Sequence, residues 1–145
     1  MQERILDAGR LSGSGVNRQP WVFVVAESRE AKERVAETVF AGDNVRTCAF
    51  AVAVATEGRK FPLDVGRCIQ NMMLVAWNEG VVSCPNGMPD EAAAARVLGL
   101  EGGFEPVNIV SFGYPKRPLE AESRTADEWS AEANRKPLDE LIRRI

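Results

Sequence analysis

The chain has 145 residues with 18 basic and 21 acidic side chains, which gives a net charge of −3. This length predicts one domain over residues 1–145, and the lack of a basic excess argues against a nucleic-acid partner. The absence of histidine excludes Ser-His-Asp and Cys-His nucleophiles and zinc sites built on histidine. Three cysteines without paired spacing predict a reduced, cytoplasmic protein. No apolar run approaches the roughly 20 residues that span a bilayer, so we expect no membrane partner.

The first part of the chain alternates between predicted helices and strands. Residues 2–11 predict a short helix, and residues 22–26 predict a strand. Ser28 is expected to cap a helix over residues 29–41. Residues 48–56 form a nearly continuous apolar run, which is typical of a strand covered on both faces.

Residues 64–80 give the clearest helical pattern. The apolar stripe consists of Val65, Ile69, Met72, Met73, Ala76 and Trp77. Leu74 and Val75 are also apolar but lie outside this stripe, so we expect the helix to be buried on several sides. In a chain of this length, that predicts a central helix or a subunit interface. We interpret Asp64 as a cap of this helix rather than as a catalytic acid.

The second part continues the same alternation. We predict a strand over residues 81–84, a turn over 85–87, a helix from Pro89 to Gly99 and a strand over 107–112. Residues 115–134 are expected to be irregular, and residues 137–145 to form a final helix. Interleaved helices and strands predict an α+β domain of two or three layers.

Residues 12–22 are the most informative stretch. They read Ser12-Gly13-Ser14-Gly15-Val16-Asn17-Arg18-Gln19-Pro20-Trp21-Val22. Such a turn presents backbone N–H groups, hydroxyls and an amide to a polar ligand, with an indole behind it. The stretch resembles the Ser-x-x-Asn-x-Gln-Pro-Trp signature of the FMN-dependent nitroreductases.

The resemblance extends along the chain in matching order. It includes Ile5 to Leu11, Asp64-x-Gly66-x-x-x-Gln70-Asn71, Leu98-Gly99-Leu100, Glu105-Pro106-Val107, Phe112 to Pro115, and Arg135 to Leu141. It implies an α+β fold with a mixed sheet flanked by helices. It also implies an intertwined homodimer with FMN at the interface.

The resemblance further implies which residues hold the flavin. Ser14 and Asn17 would contact it, and Gln19 belongs to the same signature. Pro85, Asn86 and Gly87 would follow the ring edge, and Arg135 would hold the phosphate together with Lys136. No catalytic side chain and no metal ligand are predicted, because the flavin itself carries out the redox chemistry.

Charge and spacing alone leave two of these residues open to another interpretation. Arg135 fits either a phosphate anchor or a solvated charge near a helix end. Cys84 fits a reactive thiol or, more simply, a buried structural cysteine.

The family normally opens with an Arg-Ser-x-Arg/Lys arm upstream of the signature. This sequence starts inside the helix that follows the arm, so we expect either that its start is assigned too late or that part of the phosphate site is missing. By resemblance, the protein passes a hydride from NADH or NADPH through FMN to a nitroaromatic, a quinone or a similar small acceptor. The alternatives are a flavin-binding or flavin-storage protein without catalysis and a cofactor-free dimeric remnant of the fold.

Overall fold

The structure of the chain is a computed structural model, and it describes residues 1–58, 60–117 and 123–145. The helices in these ranges are α1 (Gln2–Arg10), α2 (Arg29–Ala36), α3 (Gly42–Arg46), α4 (Pro62–Asn78), α5 (Glu91–Leu98), α6 (Ala126–Glu132) and α7 (Leu138–Leu141). The strands are β1 (Trp21–Ala26), β2 (Phe50–Glu57), β3 (Val82–Asn86) and β4 (Phe104–Gly113). The α+β class is therefore confirmed, as are the predicted helices near residues 2–11 and 64–80 and the strands near 22–26, 48–56 and 107–112.

The four strands form one sheet in the order β1-β2-β4-β3, and every neighbouring pair is antiparallel. The expected mixed sheet differs from this arrangement, because no two neighbouring strands among the described residues are parallel. The reason is topological. β2 and β3 run in the same direction on either side of α4, as a helical crossover predicts, but β4 lies between them and runs the opposite way.

Helices cover both faces of the sheet. Large side chains of β2 and β4 meet α1 and α4 on one face, where the core contains Val52, Val54, Val110 and Phe112. The alternate side chains of these strands point to the other face, where Ala51, Ala53 and Ile109 meet α2, α3 and α5. The central strand β2 is buried from Phe50 to Thr56. This confirms the prediction of a strand covered on both faces.

Helix α4 buries one side and exposes another. Val65, Cys68, Met72 and Ala76 are at most 1% exposed. The prediction that Trp77 lies on the buried stripe is wrong, since both Trp77 and Leu74 are 57% exposed. The apolar surface of this helix is therefore larger than the surface that the described part of the chain covers.

Several helix and strand boundaries differ from those that the local sequence predicted. Ser28 caps α2 as predicted, with its Oγ accepting from the Ala31 N–H at 3.0 Å. The helix ends at Ala36 rather than at residue 41, because the chain turns there and begins α3 at Gly42. The turn predicted over residues 85–87 is also wrong in part, since Pro85 and Asn86 still pair with β4.

The last part of the chain differs more from expectation. Within the segment predicted to be irregular, α6 forms behind a capping box of Thr125 and Glu128, while residues 118–122 lie outside the described residues. The predicted helix over 137–145 is limited to Leu138–Leu141, and Ile142 is already extended. All of residues 134–145 are exposed, so no packing extends a helix that is too short to be stable alone.

Candidate functional site

The signature loop, residues 12–20, connects α1 to β1 and contains a single 3₁₀ turn over Gly15–Asn17. Val16, Asn17 and Gln19 have positive φ angles of 48°, 54° and 51°. Residues other than glycine avoid this region, and a β-branched side chain such as Val16 avoids it most. Each such residue costs on the order of 1–3 kcal/mol and persists only where surrounding contacts hold it.

Helix α4 provides those contacts. Both carboxylate oxygens of Asp64 accept from the Gly15 N–H at 3.3 Å, and the Asn71 Nδ2 donates to the Ser12 Oγ at 2.8 Å. The Arg18 guanidinium lies 5.0 Å from the centre of the Phe61 ring. The loop is therefore fixed along one flank of α4.

Asp64 does not cap α4, so that interpretation is wrong. The cap position belongs to Phe61, whose side chain accepts no capping hydrogen bond. Asp64 lies in the first turn, where a negative charge is favourable, and it is only 8% exposed. Its role is to hold a backbone N–H of a loop 49 residues away in sequence.

The loop presents polar groups to the outside. The Ser14 Oγ accepts from the Gln19 N–H at 2.8 Å, which leaves its own O–H free to donate. The Gln19 Nε2 donates to the Asn17 backbone oxygen at 3.3 Å. The exposed Asn17 side-chain amide has no hydrogen-bond partner among the described residues. Beside the loop, Gln19 and Trp21 line a depression of about 470 Å³.

Pro85 and Asn86 end the edge strand β3, and Gly87 follows them. The Asn86 side chain is 2% exposed. Its Nδ2 donates to the backbone oxygens of Cys84 at 2.8 Å and Ile109 at 3.0 Å. This side chain is therefore satisfied inside the protein. The 85–87 segment can offer a ligand mainly its backbone, because an edge strand leaves one side of its backbone unpaired.

Two further residues contact the 85–87 segment, and the sequence did not indicate either. The Asn44 Nδ2 donates to the Asn86 Oδ1 at 3.3 Å, and the Phe40 N–H donates to the Gly87 oxygen at 2.9 Å. Asn44 lies in a helix of five residues, which is too short to give a periodic pattern. The polar, glycine-containing turn before it was the only available signal.

The three cysteines are free thiols in different surroundings. Burial raises the pKa of Cys68 to about 12 and also raises the pKa of Cys48. Cys84 is only partly buried, and it lines a cavity of about 190 Å³ together with Asn44 and Ser111. Asn44 Nδ2 lies 3.4 Å from the Cys84 sulfur.

The predicted phosphate residues lie in the C-terminal segment, residues 123–145. Arg135 and Lys136 are both exposed. The Arg135 guanidinium lies 5.5 Å from the centre of the Trp129 ring. Among the described residues, neither side chain forms a hydrogen bond or ion pair with the signature loop or with the 85–87 segment.

The structure therefore does not bring the predicted site residues together within one chain. The signature loop leads into β1 at one edge of the sheet, and the 85–87 segment ends β3 at the other edge. Neighbouring strands lie about 4.8 Å apart, so the two edges are about 14 Å apart. No hydrogen bond in the described ranges joins the two groups.

Comparison with known proteins identifies the family. Residues 1–45 and 43–114 match the sequence profile of the Nitroreductase family. The chain belongs to the nitroreductase family. A curated relative from Methanothermobacter thermautotrophicus, named as a candidate NADH dehydrogenase/NAD(P)H nitroreductase, is 28% identical over 123 residues. That match covers 78% of this chain, and the chain spans only 64% of the relative's length.

Solved structures of nitroreductases share this fold. A nitroreductase family protein from Clostridium difficile has a TM-score of 0.79 and 24% identity, with 98% of this chain and 83% of that chain covered. An FMN-dependent nitroreductase from the same species has a TM-score of 0.76 and 17% identity, with 88% and 80% covered. These similarities confirm the fold, whereas the role of each residue has to be argued from the site.

No cluster of three or more His, Cys, Asp or Glu side chains among the described residues could hold a metal ion. No described helix is both long and apolar enough to cross a bilayer.

Proposed function

We propose that the protein is an FMN-dependent oxidoreductase. It takes a hydride from NADH or NADPH and passes it to a nitroaromatic, a quinone or a similar small acceptor. Family membership supports this proposal, as does a solved neighbour described as FMN-dependent. The observation that carries it is the strained signature loop, which Asp64 holds while the Asn17 amide has no partner among the described residues.

The residues present fit FMN by their chemistry. A flavin ring has polar edges that need donors and acceptors, and the Ser14 hydroxyl, the Asn17 amide and the edge backbone at Gly87 supply both. A phosphate needs cations, and Arg135 offers a bidentate fork next to Lys136. Gln19 keeps Ser14 in place through its N–H. Pro85 cannot donate from its nitrogen, so it leaves the donor role to its neighbours.

The bound cofactor would supply the hydride transfer, since it can accept a hydride from a nicotinamide and release it to an acceptor. The side chains and backbone of the protein would bind the cofactor and orient it. The signature loop would present its hydroxyl and amide in a fixed geometry, so that little ordering free energy is lost on binding. Trp21, which is 8% exposed, would form an apolar wall.

We further propose that the site forms in an intertwined homodimer. The two groups of predicted site residues lie at opposite edges of the sheet, so one flavin would contact both most directly if they came from two chains. Two exposed apolar surfaces support this. One is the outer face of α4 with Leu63, Leu74 and Trp77, and the other is the C-terminal segment with Trp129, Leu138, Leu141, Ile142 and Ile145. Large exposed apolar patches are typical of protein–protein interfaces.

A visible spectrum and a flavin titration test the proposal. The purified chain should bind FMN and show flavin absorbance, and anaerobic NADH or NADPH should bleach it. FMN binding without bleaching would indicate a flavin-binding or storage protein instead. Failure to bind FMN would refute the proposal and favour the cofactor-free alternative.

A pair of loop variants tests the role of Asn17. Asn17→Gly removes the amide but keeps positive φ accessible, so it should weaken FMN binding about threefold to tenfold through the lost hydrogen bond. Val16→Gly is the matched control, because it increases loop freedom to a similar extent and removes no polar group. Equal affinities for the two variants would contradict the assignment of Asn17.

A further inference from the structure

Asn86 is a polar side chain buried at the point where β3 ends. Its Nδ2 donates to the backbone oxygens of Cys84 at 2.8 Å and Ile109 at 3.0 Å, and it lies 3.2 Å from the Ser111 Oγ. Its Oδ1 accepts from the Asn44 Nδ2 at 3.3 Å. A single side-chain amide therefore connects the end of β3 with β4 and with α3.

Ser111 completes this group on the side of β4. It is 5% exposed, and its Oγ donates to the Cys84 oxygen at 3.2 Å, so that oxygen accepts from both Asn86 and Ser111. We call these two side chains, together with Asn44 and the Cys84 carbonyl, the Asn86 network. A buried polar network whose members are satisfied fixes one local conformation, and the loss of one member leaves a buried group without its partner.

Gly87 is the first residue beyond the Asn86 network. The pairing of β3 with β4 ends at Asn86 and Ile109, and a chain that leaves a sheet frays unless other contacts hold it. The Gly87 oxygen accepts from the Phe40 N–H at 2.9 Å. Its own N–H donates to no group among the described residues. Gly87 is thus held at its carbonyl and through Asn86, while its N–H remains available.

We propose that Asn86 is a positioning residue, which directs the Gly87 N–H toward the flavin ring edge without touching the flavin itself. This inference rests on the proposed function, in which that edge follows the 85–87 segment. The resemblance implied a direct flavin contact by Asn86, but both polar ends of its amide are already used inside the protein. A donor that is held in place before binding loses less ordering free energy when the ligand arrives, and glycine allows the ligand to approach its backbone closely.

The experiment compares two variants of the Asn86 network with the full-length parent, each with and without FMN. Asn86→Asp keeps the size of the side chain but removes the amide donors. Ser111→Ala is the milder change, since Asn86 keeps its contacts with Cys84 and Ile109. Ser28→Ala is the matched control for lost stability, because it removes the cap of α2, a hydrogen bond of 3.0 Å, and has no hydrogen bond to the 85–87 segment.

The first readout is hydrogen exchange of the Gly87 amide, followed by NMR, as the ratio of its rate without FMN to its rate at saturating FMN. We expect a ratio of about ten or more in the parent and in Ser28→Ala, because the bound flavin would accept from this N–H. The ratio should fall below about three in Asn86→Asp and Ser111→Ala. The second readout is the FMN dissociation constant, which should rise about threefold to tenfold in both network variants and less than twofold in Ser28→Ala.

A purely structural role of the Asn86 network would give a different result. Exchange would then become faster with and without FMN alike, and the ratio at Gly87 would equal that of the parent; this result in Ser111→Ala overturns the inference even if Asn86→Asp does not fold. The inference is also overturned if the parent binds FMN and the Gly87 amide is not slowed, although the proposed function would then stand. If the parent binds no FMN, the proposed function fails and the inference fails with it.

Discussion

Asp64 is expected to keep the signature loop in the conformation that binds a ligand. Its carboxylate is 8% exposed, and both of its oxygens accept from the Gly15 N–H. Asp64→Ala would leave this N–H without its partner. The adjacent residues Val16, Asn17 and Gln19 would then lose the contact that opposes their positive φ angles.

The size of the effect follows from the kind of contact that is lost. A hydrogen bond to a charged group contributes about 1.5–3 kcal/mol to stability, so the free energy of unfolding should fall by about that amount. The loop can respond by relaxing its strained residues. If relaxed loop conformations gain about 1.4 kcal/mol relative to the binding conformation, the ratio of the binding conformation to the relaxed ones falls about tenfold. The FMN dissociation constant then rises by up to about tenfold, because it scales inversely with the fraction of molecules in the binding conformation.

Two measurements on two control variants test this reasoning. Urea unfolding gives the change in stability, and fluorescence titration gives the FMN affinity. Asp64→Asn should fall between the parent and Asp64→Ala, because a neutral acceptor remains. Asp90→Ala is the matched control, since Asp90 caps α5 by accepting from the Ala93 N–H at 2.9 Å. Its loss should cost about 1 kcal/mol of stability without changing FMN affinity.

The reasoning is refuted if Asp64→Ala loses stability but binds FMN as tightly as Asp90→Ala does. Asp64 would then stabilise the fold without preparing the loop.

Other predictions concern packing, thiols, the phosphate and the dimer. Gly9→Ala should lower the free energy of unfolding by about 1–3 kcal/mol through overpacking, because a Cβ there would lie 2.8 Å from the Met72 Sδ and 2.9 Å from the Phe23 Cζ. Gly13→Ala should be nearly neutral in the same assay, since the added Cβ would meet only the exposed Arg67 guanidinium. Maleimide should label Cys84 before Cys48 and Cys68 in the folded protein, as peptide mapping would show. The pKa of the Cys68 thiol is raised to about 12 from an ordinary 9, so its contribution to the free energy of unfolding should be complete below pH 9 and should be lost as the pH rises toward 12. The free energy of unfolding of Cys68→Ala should therefore fall less steeply over this pH range than that of the parent. Arg135→Ala should weaken FMN binding at least tenfold but leave riboflavin binding unchanged, whereas Arg144→Ala should affect neither; equal FMN affinity for Arg135→Ala and the parent would indicate a solvated charge. The parent should sediment as a dimer at micromolar concentration, and Leu74→Glu should shift it toward monomer; a stable monomeric parent would contradict the homodimer.

The elements with long apolar patterns could be predicted from the sequence. The run from residue 48 to 56 and the stripe beginning at Val65 both give buried elements, because burial requires apolar side chains at regular spacing. The cap at Ser28 was also predictable, since a capping hydrogen bond is local. The spacing of apolar residues could not show that Trp77 is exposed, because a helix with apolar residues on several sides does not reveal which side packs against the rest of the domain.

The contacts that shape the candidate site were mostly not predictable. Asp64 follows a helix start, so local rules favour a cap, yet its partner lies 49 residues earlier in the chain. Asn44 and Asn86 meet across 42 residues, and each looks like an ordinary turn residue in sequence. The signature predicted which loop residues contact the cofactor, but the distance between the loop and Gly87 depends on strand order, which no local spacing encodes.

The separation of the two residue groups across the sheet also has a genetic consequence. In a dimer whose sites combine the loop of one chain with the strand end of the other, a loop-defective chain and a strand-end-defective chain can compensate for each other. A mixed dimer of Asn17→Gly and Gly87→Val would contain one site with both defects and one site with neither. At an FMN concentration too low to fill either impaired site, co-expression of the two alleles would then give up to half of the full activity per mixed dimer, although each allele alone would give much less.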